Sequence, residues 1–160
     1  MERVYLDTSA IVKRYVKENG SELMSDLYGA AEQEGLSLRF SVWNIGEVLG
    51  VLDAYQRRNW IKKSEEERAV RLFSAETVKL VKLNVMSVLP VQHSYLAESW
   101  KLVRRRHVYQ ADALQLVTAA RNASSVFLSA DSVLLRCAKG EGIRAFNVES
   151  DENDIRGAVL

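Results

Sequence analysis

The 160-residue chain contains one cysteine, one proline and only eight glycines. Cys137 stands alone, so no internal disulfide and no cysteine-rich metal site can be built. A single proline and few glycines leave no material for a linker, and neither a repeat nor a low-complexity segment breaks the sequence. No apolar run approaches the ~20 residues needed to span a bilayer. The run Val4-Tyr5-Leu6 meets a carboxylate at Asp7 before any signal-like core develops. An excess of one charge is also missing. The 22 basic and 21 acidic residues leave a formal charge of +1, which argues against a constitutively basic coat for nucleic acid. These absences predict a protein of the reducing cytoplasm that does not enter a membrane.

What is present is an ordinary globular composition. With 48% hydrophobic residues the chain can offset its ordering entropy, which excludes a disordered polymer, and its length suits one core. Short apolar strands alternate with amphipathic helices, the pattern of a parallel α/β sheet. Strands are predicted at Val4–Leu6, Leu36–Val42, Val85–Val91, Val126–Leu128 and Ile143–Val148, with Pro90 marking an edge. Helical spacing runs through Ile11, Val12, Tyr15 and Val16 to a stop at Asn19-Gly20. It resumes from Glu22 to Glu34, and again behind Asn44, read as a cap. Ser64-Glu65-Glu66-Glu67 reads as a capping box, and further helices are expected around Tyr95–Val103, Ala111–Arg121 and Ser132–Lys139. The expected architecture is a three-layer α/β/α sandwich with a five-stranded parallel sheet spanning residues 1–148. The tail, residues 149–160, stays unassigned.

In open parallel sheets reactive groups gather beyond the carboxyl ends of the strands, at the point where strand order reverses. Four acids occupy such positions: Asp7, Glu47, Asp112 and Asp131. Singly, each has a structural explanation. Asp7 and Asp131 suit helix caps, and Asn44-Ile45-Gly46-Glu47 reads as a capping box. Asp112 is harder to explain so, because its helix offers little polar surface and its charge needs a partner. Together, four converging carboxylates would raise one another's pKa unless a cation neutralised them, and hard oxygen ligands suit Mg²⁺ or Mn²⁺.

The segments Val-Tyr-Leu-Asp7-Thr-Ser9-Ala, Asn-Ile-Gly-Glu47-Val-Leu, Ala-Asp112-Ala-Leu-Gln-Leu-Val-Thr-Ala-Ala and Phe-Leu-Ser129-Ala-Asp131 resemble the motifs of the PIN domain. More narrowly, they are similar to the VapC toxins of prokaryotic toxin–antitoxin pairs. The resemblance spans Val4 to about Val148. It implies a metal-dependent ribonuclease in which Asp7, Glu47, Asp112 and Asp131 form an acidic, metal-binding quartet. Thr8, Ser9 and Ser129 would be its polar neighbours, RNA its substrate and Mg²⁺ or Mn²⁺ its cofactor. It also implies a cognate antitoxin, docked in a groove between the helices of Glu22–Glu34 and Asn44–Leu83, and a homodimer. Ser132, Leu134 and Gln115 stand where many relatives carry a further acid, which weighs against a tightly held second ion.

Basic runs are usually solvated helix faces. Lys13 and Arg14, one turn beyond Asp7, and Arg104, Arg105 and Arg106, leading to Asp112, are nonetheless candidates for RNA phosphate contacts. His107 is a candidate general acid. Trp43, Trp60 and Trp100, with Tyr28, Tyr55 and Tyr95, are of a kind that stacks bases, but the reading preferred for them is core or interface. Trp60, in the polar turn Arg57-Arg58-Asn59-Trp60, reads as a protein-partner or dimer contact. Two other readings remain. An aspartyl-phosphate receiver or phosphatase also places an Asp after strand one, but Ser9 stands where the phosphatase needs its second Asp. A catalytically silent PIN-like scaffold would keep the fold and disperse the acids.

Overall fold

A computed structural model describes all 160 residues. The elements in order are β1 (Glu2–Leu6), α1 (Thr8–Val12), α2 (Ser21–Glu32), β2 (Leu36–Ser41), α3 (Val42–Arg57), α4 (Lys63–Lys82) and β3 (Met86–Leu89). They continue with α5 (His93–Arg106), α6 (Gln110–Arg121), β4 (Val126–Ser129), α7 (Ser132–Gly140), β5 (Ala145–Asn147) and α8 (Glu152–Val159). The five strands are all parallel, as the sequence pattern predicts, and their order in the sheet is β3-β2-β1-β4-β5. The chain moves outward from β1 through β2 to β3, then crosses back to place β4 on the other side of β1. The reversal therefore lies between β1 and β4, and the carboxyl ends of these two strands carry Asp7 and Asp131.

Period-two alternation divides the strand side chains between two cores. Val4, Leu6, Leu38, Phe40, Val126 and Leu128 face the core shared with α1, α2, α3, α4 and α8. Tyr5 and Phe127 face the core formed with α5, α6 and α7, their rings stacked at 5.3 Å. Helices thus cover both faces, the outcome of right-handed crossovers on either side of the switch point. β3 lies at an edge and ends at Leu89, directly before Pro90, whose missing N–H no neighbour requires. No helix is long and apolar enough to cross a membrane.

Several local expectations need correction. The helix after Asp7 ends at Val12 rather than running to Asn19-Gly20. There, i→i+3 bonds (Arg14 N to Ile11 O and Tyr15 N to Val12 O) tighten the chain into a turn. Gly20, at φ 89°, leads into α2 instead of ending a helix; a Cβ there would stand 2.6 Å from the Val148 carbonyl oxygen. Val42 is the first residue of α3 and no longer strand. The cap is Ser41, whose Oγ accepts from Trp43 N, while Asn44 Oδ1 accepts from Ser41 N at 2.9 Å. The second capping box begins two residues early, with Glu65 accepting from Lys62 N rather than answering Ser64. β3 and β5 are shorter than the apolar runs that announce them. The tail forms α8, burying Ile155 and Val159 in the larger core.

Candidate active site

Beyond the carboxyl ends of β1 and β4 the surface opens into a cleft of about 720 Å³, and Asp7, Glu47, Asp112 and Asp131 all line it. Each arrives from a different element. Asp7 leaves β1 and caps α1, and Asp131 leaves β4 and caps α7. Glu47 stands in the second turn of α3, and Asp112 in the first turn of α6.

A seam of hydroxyls joins the two strand ends. Ser9 Oγ donates to Asp7 Oδ2 at 2.6 Å, and Ser129 Oγ donates to the same oxygen at 2.8 Å. The two hydroxyls in turn accept from the backbone, Ser9 Oγ from Ala130 N and Ser129 Oγ from Asp131 N. On the α3 side, the fully buried Asn44 donates from Nδ2 to Thr8 Oγ1 at 2.8 Å and to Gln115 Oε1 at 2.7 Å. Thr8 Oγ1 passes a hydrogen bond on to Glu47 Oε2 at 2.6 Å, and Gln115 Nε2 reaches the same oxygen at 3.3 Å. Asn44 is therefore the hub of a network holding Glu47 from behind, a role hidden in the sequence by its plausibility as a cap.

Each of three carboxylates is anchored through one oxygen. Asp7 uses Oδ2, Glu47 uses Oε2, and Asp131 uses Oδ1 toward Val133 N and Leu134 N. The second oxygen of Asp7 and of Asp131 is left without a protein donor. Asp112 accepts no hydrogen bond. Burial, together with the like charges of Asp7, Asp131 and Glu47, raises its carboxyl to about 6. Burial also raises Glu47, against the donors Thr8 and Trp43.

The donor set is all oxygen and carries excess negative charge, which fits a hard divalent cation. No three acids stand together as a closed coordination shell. Mg²⁺ does not require one, because it keeps several waters and takes only one or two carboxylates directly.

The predicted cationic contacts distribute differently. Lys13 lines the cleft, but it is only 4% exposed and is held between Glu18 at 3.1 Å and Glu149 at 2.5 Å. Arg14 turns away to α4, where Glu76 accepts from its Nε and Nη2 at 3.1 and 2.7 Å. Arg105 and Arg106 close on Glu141 at the end of α7, and neither they nor Arg104 lines the cleft. His107, at φ 55°, ends α5 outside it as well. The cleft instead contains Tyr55, Arg58 and Trp60. Tyr55 and Arg58 lie eight and eleven residues after Glu47 on one face of α3, a periodicity that could have found them.

The family model described as PIN domain matches residues 4–140 of the sequence. A comparison with curated proteins finds no match. Among solved structures, the fold is similar to PAE2754 from Pyrobaculum aerophilum, at 18% identity and a TM-score of 0.64 over 98% of this chain and 96% of that one. FitAcB from Neisseria gonorrhoeae matches at 13% identity and 0.64, covering 91% and 97% of the two chains. VapBC2 from Rickettsia felis, bound to a DNA fragment from its promoter, matches at 12% identity and 0.57, covering 91% and 98%. At these identities the likeness is one of fold.

Proposed function

This chain belongs to the PIN-domain family, and from that premise we propose that it is a divalent-metal-dependent endoribonuclease, the toxin of a toxin–antitoxin pair. The carrying observation is the meeting of Asp7, Glu47, Asp112 and Asp131 in one cleft at the switch point, with Asp112 raised to about 6 by burial and its acidic neighbours. Such a group of carboxylates is costly without a cation and useful with one.

Asp7, Asp112 and Asp131 would hold Mg²⁺ or Mn²⁺, directly or through water. The bound ion would supply an acidified water and neutralise charge on the scissile phosphate. Ser9 and Ser129 fix the Asp7 carboxylate and tie the ends of β1 and β4, which sets the spacing of Asp7 and Asp131. Thr8, Asn44 and Gln115 fix one oxygen of Glu47, leaving the other to orient a water or accept its proton. The VapC-like motifs and the fold shared with VapBC2 support an antitoxin as partner, and the same resemblance supports a homodimer and a cytoplasmic setting.

The open spacing of the acids favours one competing reading, a silent scaffold. Cleavage of a labelled RNA panel separates the two. The nuclease cuts with Mg²⁺, and EDTA or Asp112→Asn abolishes cutting. Equal cleavage under all three conditions contradicts the metal–carboxylate reading, and no cleavage under any leaves the scaffold.

A further inference from the structure

Six carboxylates and two cations line the cleft. Lys13 is neutralised by Glu18 and Glu149, so the only cation left to face a polyanion is Arg58. Its neighbour Arg57 pairs with Asp53 at 2.8 Å, whereas Arg58 has no acidic partner. Its guanidinium lies 5.0 Å from the centroid of the Trp60 ring, and that ring lies 5.2 Å from Tyr55. Trp60 is 63% exposed, an uncommon state for the largest aromatic side chain.

The backbone fixes this group in place. Asn59 adopts φ 58°, which reverses the chain after α3, and Trp60 N donates to Tyr55 O at 2.9 Å. The indole is therefore presented by a closed turn rather than by a loose loop.

A track leads from the acids to this turn. Glu47, Gly50, Ala54 and Arg58 follow one another on the cleft face of α3, about 16 Å at 1.5 Å per residue. Gly50 and Ala54, on the line between the two ends, are small, with Val51 and Tyr55 flanking them. A Cβ built on Gly50 meets nothing within 4 Å, so the groove above that turn of helix is open.

We propose that Trp60 and Arg58 form a nucleotide subsite at the far end of this groove, where the indole stacks an unpaired base and the guanidinium takes an adjoining phosphate. The strand is thereby threaded along α3, with one base lifted onto the indole. A base must leave its own stack to lie on an aromatic ring, and stacking on aromatics with a cation beside them is how unpaired strands are held. The subsite rests on the ribonuclease reading. A protein partner on the same ring is the rival occupant, but the free cation and the open groove continuous with the acids match a polyanion better than an apolar contact.

The test is binding of a short labelled single-stranded RNA to the full-length chain in Ca²⁺, followed by anisotropy, with cleavage assayed in parallel in Mg²⁺. Trp60→Ala weakens binding roughly tenfold or more, and Trp60→Phe retains most of it. The Trp60→Ala loss shrinks when the strand carries an abasic site at the stacked position. Arg58→Ala makes the slope of log affinity against log salt shallower by about 0.7, the loss of one phosphate contact on a single strand. Gly50→Gln weakens binding about tenfold by filling the groove, yet melts no lower than the parent, because glycine is a poor helix former.

Unchanged RNA binding and cleavage in Trp60→Ala overturns the subsite and leaves the ribonuclease standing. An equal loss on intact and abasic strands overturns stacking. A changed sedimentation state with intact RNA binding assigns the ring to a protein interface. A parent that neither binds nor cuts RNA removes the ribonuclease reading and the subsite with it.

Discussion

Asp112 and Glu141 are both partly buried acids near basic runs of the sequence, yet folding moves their protons in opposite directions. Burial and three neighbouring carboxylates raise Asp112 to about 6. Burial also acts to raise Glu141, but hydrogen bonds and charge from Arg106 and Arg105 outweigh it and hold that carboxyl below the ordinary range. At the α5–α7 corner Glu141 is paired with both Arg105 and Arg106, and Arg106 Nη2 donates further to Gly140 O at 2.5 Å. In the cleft like charges face one another, and Arg58 stands unpaired. The first arrangement completes a fold, whereas the second is left open for something to bind.

The largest effect that would sharpen this contrast is on cleavage. Asp112→Asn should lower RNA cleavage in Mg²⁺ by about two orders of magnitude or more, while Glu141→Gln leaves the rate unchanged. Similar losses in both would break the distinction between open and satisfied charge.

A second satisfied network lies behind the cleft. Glu76 accepts from Arg14 at two positions and from Tyr15 Oη at 2.9 Å, with little of its side chain exposed. Glu76→Ala should cost about 2 kcal/mol in urea unfolding, since it strands a part-buried guanidinium and a phenol. The cleavage rate per folded molecule should hold.

Asp112→Asn should act the other way on stability. A carboxyl raised in the folded state contributes most below its unfolded value near 4, and that contribution is lost as pH rises through about 6. At pH 7 and low salt without divalent cation, the variant should therefore be more stable than the parent. After discounting for its partial exposure the gain is about 1 kcal/mol, and it should vanish near pH 4. Guanidinium unfolding is unsuitable because its salt screens the effect; urea series at the two pH values measure it.

The smallest effect belongs to Glu141→Gln, whose partners are largely solvated. It should cost about 0.5 kcal/mol at low salt and less in 1 M NaCl, again by urea unfolding.

The sheet was legible in the sequence because its strands are buried on both faces and read as short apolar runs between amphipathic helices. The four acids were legible because sheet topology restricts where reactive groups can stand. The basic runs were not, since a run of arginines looks the same whether it faces a polyanion or a glutamate thirty-five residues away, as Arg106 faces Glu141. Lys13 was misleading for the same reason, its partner Glu149 being contributed from the far end of the chain. Asn44 satisfies the rules for a cap at the position where it serves as a buried hub, and only Ser41's occupation of the cap separates the two. Trp60 was visibly unusual, but its place at the mouth of the cleft depends on the left-handed turn at Asn59, which the sequence marks only weakly.

The central claim is that the cleft takes a divalent cation through its acids, and Mn²⁺ titration followed by electron paramagnetic resonance tests it most directly. The account predicts saturable binding to the parent chain, weakened tenfold or more in Asp112→Asn and unaffected in Glu141→Gln. Absence of saturable binding, or equal affinity in all three proteins, would contradict it.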